Sequence, residues 1–235
     1  MDLVLSPAIL GIGICPGLST LLVKKLSAGF DKVTKIEFSL LLGLGDHYGN
    51  DALAWMLDNL SQSFYWRLQG NKVKQLAFHN KRLIRFFPTE KSHGVYNFNL
   101  ADQQIVSRTM KQDCVTTYFG LDDRRMTAGL ALFAKMQFFR LLRYQWLYRS
   151  AFQFAGFSSR FSTQTDPRYA IHVKIEGEVS NQKQIQEQTI VGTNSSETTG
   201  KIAAHTACLV MEKGLANKVY YLNELFDLGD FSEFL

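Results

Sequence analysis

Two titratable residues stand side by side in a glycine-rich stretch and are the best candidates for contacts with a substrate. Asp46 and His47 lie between Gly45 and Gly49, and side chains of these types take part in proton transfer where their surroundings tune the pKa. The neighbouring glycines let the backbone approach a ligand closely. We therefore predict a substrate cleft at Gly45, Asp46, His47 and Gly49, without assigning a general base. The alternative is structural: Asp46 caps the following helix or turn, and His47 is exposed.

A second glycine-rich stretch lies close to the N-terminus. Gly13, Cys15, Pro16 and Gly17 join a short apolar run, which we read as the end of a buried strand, to leucines at helical spacing. Pro16 suits the first turn of that helix, where a missing N–H costs nothing. The stretch departs from the dinucleotide-binding fingerprint, because Pro16 stands where the last glycine of that fingerprint is required.

The elements that must position these residues indicate an α+β fold. Residues 32–44 pass from alternation into a continuous apolar run, which predicts a central strand, and residues 51–60 predict the next helix. Short extended segments between 64 and 98 predict hairpins. Residues 169–179 and 183–191 predict a long hairpin with His172 on its solvent-exposed face. We expect a largely antiparallel or mixed sheet with covering helices.

Three helices complete the prediction. Asp102 is expected to cap a short helix that runs through residue 110, and Gly200 lies at the start of a last helix over residues 201–213. The longest candidate, residues 127–154, has an internal break and carries aromatic residues on several faces beside lysine and arginine. We expect a second domain or subunit to cover it, and insertion at a membrane surface is the less favoured alternative.

Composition narrows the class of protein. The 235 residues carry a net charge of +5, from 26 basic and 21 acidic residues, without a long basic tail, so nucleic acid is not implied. The three cysteines are far apart in sequence, which predicts buried thiols and neither a disulfide framework nor a metal site. The N-terminus lacks a basic lead, and no stretch has the length of a membrane span. We therefore expect a cytoplasmic protein.

Four stretches, taken in their order along the chain, resemble the C-terminal part of the saccharopine dehydrogenase-like oxidoreductases. They are residues 13–19, residues 42–49, the pair Asp102 and Gln103, and the Thr-Thr-Gly helix start at residues 198–200 with its two following alanines. Each motif alone is common in proteins. The resemblance depends on their order and separation, and it spans nearly the whole chain.

The resemblance carries several implications. In that family an N-terminal Rossmann domain binds NAD(P), and a second α+β domain shapes the substrate cleft and often the dimer interface. The chain would be only the second part: residues 1–30 would end the cofactor domain, 31–200 would form the substrate and dimerisation domain, and 201–235 the C-terminal helix and tail. Gly13, Cys15, Pro16 and Gly17 would lie near the cofactor.

The same resemblance leaves two functions open. In the first, the chain is the substrate-binding and dimerisation part of an enzyme that transfers hydride with NAD(P). No cofactor would bind to this chain alone, because the Rossmann domain is absent, and a second copy or a cofactor-domain partner is expected. In the second, the chain is a non-catalytic binding or scaffold protein derived from that family, which engages a membrane or a partner through residues 127–154.

Overall fold

The structure is a computed structural model that describes residues 6–43, 45–46, 48–68, 71–160, 167–211 and 213–235. Its strands are β1 Ala8–Leu10, β2 Lys32–Leu42, β3 Ser63–Leu68, β4 Asn71–Leu76, β5 Lys81–Ile84, β6 His93–Asn97, β7 Val115–Leu121, β8 Arg168–Val179, β9 Gln182–Thr193 and β10 Val219–Tyr221. Its helices are α1 Ser19–Ser27, α2 Asn50–Ser61, α3 Asp102–Met110, α4 Arg124–Lys135, α5 Gln145–Arg160, α6 Ser195–Met211 and α7 Leu222–Leu225. A short 3₁₀ segment, Phe138–Arg143, lies between α4 and α5, and another, Leu228–Phe234, follows α7.

A mixed six-stranded sheet forms the centre of the fold, in the order β5-β6-β7-β2-β8-β9. β2 runs parallel to β7 and antiparallel to β8. The apolar half of β2 is buried, and Leu41 has no exposed surface, as expected for a strand covered on both faces. The predicted α+β class, the central strand and the hairpins β3-β4, β5-β6 and β8-β9 are confirmed.

Helix α1 packs against β2, β8 and β9. Leu18, which directly precedes the helix, and the helix leucines at residues 21, 22 and 26 are all buried, because their spacing places them on one helical stripe. The same hydrophobic core includes Phe38 of β2, Tyr118 of β7 and Phe231 near the C-terminus. None of the helices in the described ranges is long and apolar enough to cross a bilayer.

The N-terminal turn differs from the sequence expectation in two ways. β1 is not a buried strand: within the described part of the chain its one strand partner is β10, with which it pairs in parallel, and Leu10 is exposed. Pro16 does not lie in the first turn of the helix, which begins at Ser19. Gly17 has φ 145° and ψ −102°, a combination open only to glycine, and it holds the chain outside helical geometry until the next residues.

Three further expectations from the sequence are wrong. His172 is buried instead of solvent-exposed, because the ring of Phe86 packs against its imidazole, with the ring centroids 6.2 Å apart. The imidazole Nδ1 lies 2.8 Å from the Thr189 hydroxyl. The last helix begins at Ser195, so Gly200 lies inside it. Cys208 is exposed, whereas Cys15 and Cys114 are half-buried. The predicted helix over 127–154 does contain its break, between α4 and α5.

The space around two glycines shows how closely atoms pack in β8 and in α6. A Cβ at Gly177 in β8 would lie 2.5 Å from the Lys32 carbonyl oxygen, whereas a Cβ at Gly200 in α6 would meet no atom within 4 Å. We expect Gly177→Ala to lower the free energy of unfolding by about 1–3 kcal/mol through overpacking. The matched change Gly200→Ala should raise it by roughly 0.5–1 kcal/mol. Denaturant unfolding measures both, and equal effects would contradict this account of the sheet.

Candidate functional site

A large apolar cavity lies beside the sheet, with a volume of about 1100 Å³. This is at the upper end of the range for small-molecule pockets, roughly 300–1,000 Å³. Helices α2, α4 and α5 supply most of its wall, together with the ends of β2 and β7. Aliphatic and aromatic side chains dominate the lining, among them Leu53, Leu57, Phe98, Phe119, Phe133 and Leu147.

The two glycine-rich stretches singled out in the sequence meet at this cavity. Cys15 and Pro16 line it from the N-terminal turn, and Tyr48 and Gly49 line it from the loop after β2. These pairs are distant in sequence, and only the fold brings them together. Gly13, Gly17 and Gly45 are not among the lining residues, and His47 lies outside the described residues.

Asp102 is a buried carboxyl group in the cavity wall, at the start of α3. We had expected Asp102 to cap that helix, but its side chain makes no capping hydrogen bond. Its carboxylate instead accepts a hydrogen bond from the Cys15 thiol at 3.0 Å and another from the Ser19 hydroxyl. Burial raises the pKa of Asp102 above its ordinary value, although both hydrogen bonds act in the opposite direction. The result is a carboxyl group that holds its proton more readily than one in water.

Cys15 shares this environment and is not an activated nucleophile. Burial raises the pKa of the Cys15 thiol well above its usual range, and the negative charge of Asp102 adds to this effect. Because the thiolate is the reactive form, a raised pKa keeps the sulfur protonated and unreactive at neutral pH. Cys15 therefore acts here as a hydrogen-bond donor that orients Asp102.

Asp46 is buried, with 5% of its surface exposed, and it is not among the residues that line the cavity. Its carboxylate accepts hydrogen bonds from the Ser195 hydroxyl and from the backbone N–H of Ser196, the latter at 3.0 Å. Both donors belong to the first turn of α6, where a carboxylate is favoured by the helix dipole. Asp46 thus caps a helix, but one 149 residues further on and not the helix that follows it.

Tyr48 gives the loop after β2 a second anchor. Its hydroxyl group donates to the Gly43 carbonyl at 2.7 Å, and its ring lines the cavity. Burial is the main cause that raises the pKa of Tyr48, so the phenol remains neutral. The loop therefore presents a neutral ring to the cavity and directs its charged carboxylate toward α6.

The N-terminal glycines do not fit the pyrophosphate of a dinucleotide. A Cβ on Gly13 would lie 3.0 Å from the Thr199 side chain, and one on Gly17 would lie 3.3 Å from the Gly11 carbonyl oxygen. Other protein atoms therefore pack closely against both glycines. The first residues of α1, Ser19 and Thr20, are also fully buried, so their backbone N–H groups are not available to an anion.

Sequence reasoning missed the role of Asp102 because nothing local distinguishes it from a helix cap. It stands at the start of a helix, where aspartate is a common residue, and its partners Ser19 and Cys15 lie 83 and 87 residues away. The recurrence of the Asp102 and Gln103 pair in the family resemblance is the one signal that marked the position. That signal carried no information on what the side chain contacts.

Comparison with known proteins adds no assignment: no protein-family model matches the chain, and no curated protein matches it significantly. The resemblance to saccharopine dehydrogenase-like oxidoreductases stays a prediction.

The buried carboxyl of Asp102 makes the stability of the protein depend on pH. Because its pKa is raised on folding, the native state retains a proton that the unfolded state loses, so stability falls as pH rises above the unfolded pKa of about 4. Asp102→Asn removes this titration. We expect the stability of the variant relative to the parent protein to increase with pH, by up to about 1.4 kcal/mol per pH unit within the window between the two pKa values.

Denaturant unfolding at a series of pH values measures this difference. Asp51→Asn, which removes an exposed carboxylate at the start of α2, controls for the loss of one negative charge. A stability difference for Asp102→Asn that is independent of pH would contradict the raised pKa.

Asp46 is expected to matter for stability. Asp46→Asn replaces one acceptor oxygen by a donor in a buried site, where two donors of α6 already point at the carboxylate. We expect a loss of about 1–3 kcal/mol in the free energy of unfolding. Ser195→Ala, which removes one of those donors, should cost less. If both variants unfold like the parent protein, the contact between the loop and α6 is not a structural anchor.

Proposed function

We propose that this chain is the substrate-binding part of a saccharopine dehydrogenase-like oxidoreductase and that its substrate has a long or bulky apolar portion. The apolar cavity of about 1100 Å³ is the observation that carries the proposal. A second domain or polypeptide would supply NAD(P), because the N-terminal glycines of this chain do not fit a pyrophosphate. The same proposal includes a cytoplasmic location and, as partner, a second copy or a cofactor-domain polypeptide.

The lining of the cavity sets what it can bind. Each buried methylene of a ligand contributes about 0.8 kcal/mol, and 1.4 kcal/mol is a tenfold change in affinity. A cavity of this size and lining therefore selects ligands by their apolar length. A small polar amino acid would leave most of the cavity without contacts and would lose this source of affinity.

Asp102 is a buried polar residue in this mainly apolar wall. Burial raises the pKa of Asp102, so its carboxyl group takes up a proton at a higher pH than one in water, and in that form it can donate a hydrogen bond to a carbonyl or hydroxyl oxygen of a substrate. Cys15 and Ser19 hold its two oxygens in place. We expect the polar end of a substrate to lie near Asp102 and its apolar portion to extend toward α4 and α5.

The main alternative is a binding protein without hydride chemistry. The buried glycines of the N-terminal turn and the buried start of α1 support it, since they leave little room for a pyrophosphate at that turn. The two functions share the cavity and differ only in the need for a cofactor partner. Co-purification with the polypeptide encoded immediately upstream, followed by a test for NADPH consumption with long-chain carbonyl compounds, distinguishes them.

The cavity can be tested by blocking it at a glycine. Gly129 of α4 lines the cavity, and a Cβ there would meet no atom within 4 Å. Gly129→Leu should fill part of the cavity while favouring the helix, because leucine is a better helix former than glycine. We expect a fluorescent long-chain fatty-acid probe to bind the parent protein saturably and to bind Gly129→Leu at least about tenfold more weakly, the effect of two lost methylene contacts.

Gly200→Leu is the matched control, because it places the same side chain at an exposed position of α6 that is not among the cavity-lining residues. It should leave probe binding unchanged. Unlabelled acyl chains of increasing length should displace the probe with increasing affinity. Non-saturable binding to the parent protein, or equal binding to both leucine variants, would refute a ligand function for the cavity.

A further inference from the structure

The segment from the end of α4 to the start of α5 exposes large apolar side chains that the fold leaves uncovered. Met136 and Trp146 have 67% and 69% of their surface exposed, and Leu132 has 58%. Phe138 and Leu141 of the intervening 3₁₀ segment are also exposed. Contiguous exposed residues of this size mark interaction surfaces in folded proteins. We call residues 132–149 the aromatic-basic surface.

The charge of this region has one sign. Residues 124–160 contain seven lysines and arginines and no aspartate or glutamate, so the region carries more positive charge than the net +5 of the whole chain. Lys135, Arg140, Arg143 and Arg149 are all exposed. Among the described residues, none of these four forms a salt bridge. Their charge is thus available to an external anionic partner.

We propose that the aromatic-basic surface docks onto an anionic lipid membrane. Exposed tryptophan, phenylalanine and leucine flanked by lysine and arginine are the composition of interfacial anchors, in which apolar side chains enter the headgroup region and cations pair with lipid phosphates. Arginine and lysine suit this position because their long stems pack on apolar surface while the charge reaches the headgroups. This inference goes beyond the proposed function and does not depend on it.

A second copy of the chain is a poorer occupant of this surface. A two-fold symmetric interface brings the same patch of both subunits together, so Arg140 and Arg143 of one copy would face their own counterparts without an acidic residue from this region between them. Like charges brought together in this way oppose association. An anionic membrane offers the opposite charge and an apolar layer at the same depth.

The surface also forms the outer side of the cavity wall. Phe133, Phe138 and Leu147 line the cavity, and the rings of Phe133 and Phe138 lie 5.2 Å apart. Phe133 has 46% of its surface exposed. Docking at this surface therefore places one wall of the cavity directly at the lipid.

Vesicle co-sedimentation of the full chain tests the proposal. The vesicles are phosphatidylcholine alone, and phosphatidylcholine with phosphatidylserine in equal amounts. We expect binding to the anionic vesicles only, weakened by high salt. Arg140→Gln with Arg143→Gln should lower vesicle affinity roughly 10–30-fold, since each basic residue near an anionic surface is worth about 1 kcal/mol. Met136→Ser with Trp146→Ser should also lower it, by removing apolar contacts.

Lys72→Gln with Lys74→Gln is the matched control, because it removes two exposed positive charges from β4 and leaves the aromatic-basic surface intact. It should retain most of the binding. The arginine variants alter only exposed side chains, so they keep the test valid if the serine variants fail to fold. Equal binding to neutral vesicles, equal losses in the control, or self-association that is abolished by the arginine changes without any vesicle binding would overturn the proposal.

Discussion

The parallel pairing of β2 with β7 is the constraint on which the cavity depends. Their register aligns Ile36 with Val115 and Leu42 with Leu121, so both strands end at the same edge of the sheet. The backbone N–H of Asp122 donates to the Leu42 carbonyl at 2.9 Å and closes this edge. Because each strand is followed by a helix, α2 and α4 both start beyond this edge, and residues of both helices line the cavity. Ligands in α/β sheets bind at such carboxyl ends for the same geometric reason.

Two buried carboxylates then hold distant segments against this opening. Asp102 ties α3 to the N-terminal turn through Cys15 and Ser19, and Asp46 ties the loop after β2 to the first turn of α6. Each carboxyl group loses hydration on burial and recovers part of that cost through its donors. Because both contacts join residues far apart in sequence, they define the shape of the cavity wall more than the local secondary structure does. We therefore expect the loss of either contact to change the shape of the cavity wall more than the structure of the sheet.

Local sequence patterns predicted the elements better than the site. The apolar run in β2 and the alternation in β8 are properties of neighbouring residues, and both strands are found where the pattern indicates them. The alternation in β8 wrongly predicted that His172 is exposed, because this part of β8 is covered on both faces. The buried imidazole has a hydrogen-bond partner there, the Thr189 hydroxyl. Helix α1 began later than predicted because Gly17 adopts a backbone conformation that no spacing rule reveals.

The cavity itself lay beyond sequence reasoning, because an apolar side chain gives the same signal whether it faces a core, a cavity or a membrane. The aromatic residues of α4, α5 and their connection occur on several faces, and from the sequence we expected a second domain or subunit to cover them. The structure separates them into two groups: Phe139 and Leu142 are buried, while Met136 and Trp146 point away from the fold. The buried residues, Phe139 and Leu142, already pack against the rest of the fold, so only the exposed residues, Met136 and Trp146, require a partner. That group is small and is flanked by Lys135, Arg140, Arg143 and Arg149, none of which forms a salt bridge with another described residue. Exposed apolar side chains beside such cations have the composition of a surface suited to contact with lipid.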